Sequence, residues 1–132
     1  PLFPNGGVSV GFHGGSHHQD DPAQIRRYAD LNRYHVSTLA YFAEKLRSIQ
    51  DGDGTLLDHS IMLFGSNMSN SNAHNHDPLP TAVIAGWKTI KGGQHLKYPE
   101  HTTLANLLVT LLDRTGIPID NVGDSTGKLS EV

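Results

Sequence analysis

Three imidazoles fall within six residues at His13, His17 and His18, and a short spacer of Gly14, Gly15 and Ser16 separates the first from the other two. Neutral imidazole is the commonest side-chain metal ligand, and glycines let the main chain turn tightly enough for His13 and His17 to face one ion. A catalytic zinc often takes three protein ligands and keeps one position for water, so this pair needs one more imidazole, from His18 or from elsewhere. A second polar stretch, residues 66–80, offers His74, His76 and Asp77. A loop of that length without structure of its own is uncommon in a compact domain, and between apolar segments it reads as functional. The plain alternative is a hydrated, glycine-rich segment that holds histidines without any ion.

The chain contains no cysteine. Thiolate metal sites and disulfides are therefore excluded, and an ion would be held by nitrogen and oxygen. Ser16 is a poor nucleophile, since a serine between glycine and histidine needs an oriented base and an oxyanion site that the sequence does not display.

The elements that must present these residues follow from periodicity. Residues 8–12 are short and β-branched and predict a strand that ends where the histidine segment begins. Asp20, Asp21 and Pro22 mark a helix start, with Asp21 as the cap and Pro22 in the first turn. An apolar stripe of Ile25, Tyr28, Ala29, Val36, Leu39, Phe42, Ala43, Leu46 and Ile49 then predicts one long helix over 22–50. Asn32 and His35 lie on that stripe, so His35 is either a satisfied core histidine or a group that orients a ligand.

Residues 60–66 are apolar without alternation, the pattern of a strand covered on both faces, and 81–86 repeat it. Leu104, Leu107, Leu108, Leu111 and Leu112 predict a helix over 102–115, stopped by Gly116 and Pro118. Strand, long helix and buried strand make a βαβ unit, so the expected fold is a single α/β domain over 1–132 with a mostly parallel sheet and flanking helices. In such a sheet the loops leaving the C-terminal strand ends build the site, which would bring 12–20 and 66–79 to one rim. His59, before the buried strand, should lie at the opposite end and be structural or solvated. His95 and His101 read as surface residues.

Composition narrows the function classes. At 132 residues, 36% hydrophobic and 17% charged, the chain is ordinary for one globular domain. A net charge of −3 with Arg26 and Arg27 as the single basic doublet lacks the footprint of a nucleic-acid binder, and no apolar run could span a membrane. The chain opens on Pro1 without an initiator methionine, which suggests a fragment of a longer protein.

The run from His13 to His18 matches the His-x-x-Ser-His-His signature of a bacterial family of undefined activity. The chain resembles that family along almost its whole length, through Asn32 to His35, Asp53 to Asp58, Phe64 to Ser66, His74 to His76, Leu96 to Pro99 and Gly123 to Gly127. The resemblance implies a periplasmic or extracellular location, because such proteins commonly carry an export leader.

More loosely, the order of elements is similar to the C-terminal half of alkaline-phosphatase-like and sulfatase-like metallohydrolases. There, two ligands three residues apart leave one strand, as His13 and His17 would, and a loop histidine precedes a later strand, as His76 does. That likeness implies a divalent ion, zinc foremost, held by His13, His17 and His76. His18, His74 and Asn67 would be reserve ligands or hydrogen-bonding neighbours, and Asp77 would orient an imidazole. Asn67 and Met68 stand where those enzymes carry a second ligand pair and are weak donors, which disfavours a two-metal centre.

The expected function is a metal-dependent hydrolase-like domain acting on phosphate or sulfate esters in the intact parent protein. Its partners would be a small-molecule ester or the rest of the parent chain. The alternatives are a non-catalytic metal-binding or partner-docking module, and a scaffold with no ion.

Overall fold

The computed structural model describes residues 11–132 except Trp87, so of the expected strand over 8–12 residues 8–10 lie outside the described part. These residues divide into two compact units. One comprises the described chain up to Lys45 with Ser66–Leu79; the other comprises Leu46–Gly65 with Pro80–Val132.

In the first unit, a single-turn helix α1 (Phe12–Ser16) precedes the long helix α2 (Pro22–Arg47). Phe12 therefore opens a helix and does not end a strand. Asp21 starts α2 as expected: its Oδ1 accepts the Ala23 and Gln24 amides, both at 2.9 Å, satisfying two of the donors a helix start leaves open. The helix stops three residues short of the predicted end. Leu31, off the apolar stripe, is its one buried residue. Stripe residues such as Ile25, Val36 and Phe42 are exposed, Val36 by 53%. The stripe was expected to cover a parallel sheet, and among the described residues no such sheet forms.

The second unit begins with a minimal hairpin, β1 (Gln50–Asp51) and β2 (Gly54–Thr55), followed by β3 (Ile61–Gly65) and β4 (Thr81–Ala85). β3 and β4 pair antiparallel, from Ile61 opposite Ala85 to Gly65 opposite Thr81. Two glycines make close main-chain approaches possible. A Cβ on Gly65 would sit 2.6 Å from the Pro80 carbonyl oxygen, and one on Gly86 would sit 2.4 Å from the Asp58 Cα.

Helix α3 (Leu104–Arg114) is capped by Thr103, whose Oγ1 accepts the Ala105 amide. It ends at Gly116, which adopts the left-handed φ of +79° while its amide donates to the Asp113 carbonyl. The expected stop at Gly116 is thus met by the geometry that favours glycine. The C-terminal segment is strapped to α3. Asn106 accepts the Thr126 amide at 2.7 Å and donates to the Thr126 hydroxyl at 3.1 Å, and Thr110 Oγ1 accepts the Leu129 amide at 2.8 Å. These bonds satisfy two polar side chains that are buried along with Leu107 and Val109.

The fold expectation is overturned. Among the described residues there are three helices and two separate two-stranded antiparallel sheets, with no parallel sheet, and so no alkaline-phosphatase-like sheet core. Two causes are visible. A parallel neighbour needs a helical crossover, whereas the 66–80 connection contains no helix and returns the chain as a hairpin. The apolar run 60–66, read as a strand covered on both faces, has no fully buried residue. Apolar content without alternation therefore misidentified its environment.

Candidate metal centre

α1 sets the first pair of histidines. The Gly15 amide donates to the Gly11 carbonyl at 2.9 Å, and the Ser16 hydroxyl donates to the His13 carbonyl at 2.7 Å, closing one helical turn. Residues four apart share a helix face, so His13 and His17 meet with ring centroids 4.9 Å apart, edge to face. The turn itself makes the pair, where free glycine flexibility was the expected cause. Gln19 and Asp20, both at positive φ, then reverse the chain into α2.

The 66–79 loop is built by its own amides. Asn70 Oδ1 accepts the Asn72 and Ala73 amides, while the Asn75 carbonyl and Oδ1 accept the Ser69 and Asn70 amides at 2.9 and 2.7 Å. Two longer-range bonds dock this loop onto the histidine turn. Ser71 Oγ donates to the Ser16 carbonyl at 2.9 Å, and the Gln19 amide donates to Asn72 Oδ1 at 3.0 Å. The docking carries His74, itself at a left-handed φ of 54°, to a ring-centroid distance of 5.0 Å from His17. A shared rim of parallel strands was expected to join the two loops; side-chain hydrogen bonds do so instead.

His17 thus contacts the rings of both His13 and His74. His76 is oriented differently: its Nδ1 lies 2.6 Å from the Asn67 carbonyl oxygen. A carbonyl only accepts, so Nδ1 carries the proton and Nε2 presents its lone pair, the tautomer a metal-binding histidine uses. Asn67 therefore acts through its main chain, which needs no ligating side chain.

His18 has the opposite arrangement. It is 9% exposed, and its Nδ1 accepts the Asp20 amide at 3.2 Å, so the neutral ring holds its proton on Nε2 and offers no lone pair. Asp77 leads into Pro78 through a cis peptide bond. His35 packs against Phe12, ring centroids 5.2 Å apart, and against Tyr34. Ser71 and Asn72, which hold the loop in place, were missed by sequence reasoning; their signal was the run of serines and asparagines across 66–75.

Two imidazoles sharing a tetrahedral ion at a zinc–nitrogen distance of ~2.0–2.1 Å have centroids roughly 5 Å apart. The His13–His17 pair and the His17–His74 pair each have that spacing. The ring nitrogens are not gathered at one point: among the described residues no group of three or more histidine, aspartate or glutamate side chains is placed to hold a metal ion. The donor types and these two ring spacings suit an ion, whereas the rings as placed make edge-to-face contacts and do not converge on one.

No family model, curated protein or solved structure matches the chain. Among the described residues, no helix is long and apolar enough to cross a membrane.

Proposed function

We propose that the first unit is a metal-binding domain whose histidines hold one divalent ion of the zinc class, with His13 and His17 as ligands and a third imidazole from the 66–79 loop. The observation that carries this is the contact of the His17 ring with His13 at 4.9 Å and with His74 at 5.0 Å, the latter from a segment more than fifty residues distant. His74 has the nearer ring and His76 the ready tautomer, so either completes the set. His18 is left out because its Nδ1 is engaged. The left-handed backbone at His74 adds support, because such conformations in residues other than glycine concentrate at functional sites. The resemblance to the His-x-x-Ser-His-His family agrees with a role for His13 and His17.

Ester hydrolysis in the intact parent protein is the second reading. Solvent exposure of His13, His74 and His76 favours it, because a three-imidazole ion in contact with solvent keeps a position for water. Such an ion would polarise an ester oxygen or lower the pKa of bound water. Ser16 supplies no nucleophile, as its hydroxyl is buried and bonded to the His13 carbonyl.

Calorimetric titration with zinc tests the proposal. The wild type should bind one ion, and His17→Ala should lose at least tenfold in affinity, a change of about 1.4 kcal/mol. Equal binding by both proteins, or binding by neither, refutes it. Turnover of an aryl phosphate or aryl sulfate only in the zinc-loaded protein would support the hydrolytic reading.

A further inference from the structure

The second unit holds a histidine that the metal centre does not use. His59 lies with both ring nitrogens against carboxylates: Nδ1 is 2.9 Å from Asp51 Oδ2 and Nε2 is 3.3 Å from Asp53 Oδ1. These two acids flank the hairpin turn at Gly52, whose φ is +55°, and a Cβ there would stand 3.9 Å from the His59 Cε1. The ring therefore lies across the turn and ties its two sides together.

A neutral imidazole has one donor and one acceptor nitrogen, so it would turn a lone pair toward one of these carboxylates. Only the doubly protonated ring donates to both. The carboxylates facing the ring favour that state, and the Lys88 cation opposes it. Lys88 Nζ approaches Asp53 at 3.9 Å, and Asp58, whose carboxylate accepts from the Thr55 amide and hydroxyl, interacts electrostatically with both cations. Two cations thus stand against three carboxylates.

We propose that His59, Asp51 and Asp53 form a proton-operated clamp on the hairpin Gln50–Thr55, closed while the ring is an imidazolium and released when it loses a proton. Because one nitrogen must give up its donor role on deprotonation, one of the two ties is lost and the turn loosens. The raised proton affinity of His59, caused first by its hydrogen bond to Asp51 and opposed by partial burial, agrees with this geometry. The clamp is independent of any ion bound by the first unit.

The test is an NMR titration of the His59 ring in the full chain, with hydrogen-exchange protection of residues 50–55, corrected for intrinsic rates, followed over the same pH range. His59 should titrate above the ordinary imidazole value of roughly 6.5. The protection should fall about two- to fivefold as the ring deprotonates, the size expected of an exposed ion pair. Asp51→Asn should lower the midpoint, and added salt should weaken the effect. A His59 midpoint at or below roughly 6.5, or protection that ignores the titration, overturns the proposal. If Asp51→Asn proves unstable, the wild-type measurements decide alone.

Discussion

Ser71 donates its hydroxyl to the main-chain carbonyl of Ser16 at 2.9 Å, joining two residues 55 positions apart. This bond, with that from the Gln19 amide to Asn72, positions the 66–79 loop beside the histidine turn. Ser71→Ala should cost about 1 kcal/mol of stability in a urea melt, the net worth of one such bond. Zinc affinity should fall in the same variant, because the loop would no longer deliver its imidazole. Unchanged affinity would mean that the loop contributes no ligand.

The third ligand can be identified by a pair of substitutions. His74→Ala and His76→Ala, each titrated with zinc, should differ, and the true ligand should cost at least tenfold in affinity. His18→Ala should leave binding within about twofold, because its Nε2 carries the proton in the neutral ring. A large loss in His18→Ala would require the His18 ring to leave the Asp20 amide.

Gly86 has a steric requirement that no other residue meets. Its Cβ position is 2.4 Å from the Asp58 Cα and 2.8 Å from the Asp58 carbonyl oxygen, both main-chain atoms that cannot swing aside. Gly86→Ala should destabilise the second unit by roughly 1–3 kcal/mol, the usual range for overpacking. Gly14→Ala is the control: nothing lies within 4 Å of its Cβ position, and thermal melts of that variant should be close to wild type.

Acid should weaken the second unit through Asp58. Its carboxyl titrates below the ordinary carboxylate value of 3.8, chiefly because the Thr55 hydroxyl donates to the charged form and the Thr55 amide adds to it. A depressed folded-state value contributes stability that is present above the unfolded value and is lost as pH falls through the folded one. The loss should therefore begin below about pH 4 and should shrink in Thr55→Val, which keeps the amide bond but removes the hydroxyl. His59 has the opposite sign: its raised value stabilises at low pH, and that contribution disappears as pH rises above roughly 6.5. Melting temperatures of wild type and Thr55→Val between pH 2 and 9 check both limbs.

Helix positions were the most legible feature of the sequence. Asp21 and Pro22 located the start of α2, and the leucines with Gly116 and Pro118 located α3, because caps and stops act over a few neighbouring residues. The one-turn helix at Phe12–Ser16 was missed, since two glycines in five residues argue against a helix that hydrogen bonds nonetheless close.

The sequence by itself determined the donor chemistry: nine histidines, no cysteine, and a four-residue spacing between His13 and His17 that one helical turn makes adjacent. It also determined where α2 begins and where α3 stops. Strand direction was decided only by tertiary structure, because an apolar run has the same composition whether its neighbour is parallel or antiparallel. So was the identity of the histidine that meets His17, which depends on where Ser71 and Asn72 dock their loop. The proton positions on His18 and His76 follow from the Asp20 amide and the Asn67 carbonyl, partners that only the folded chain supplies.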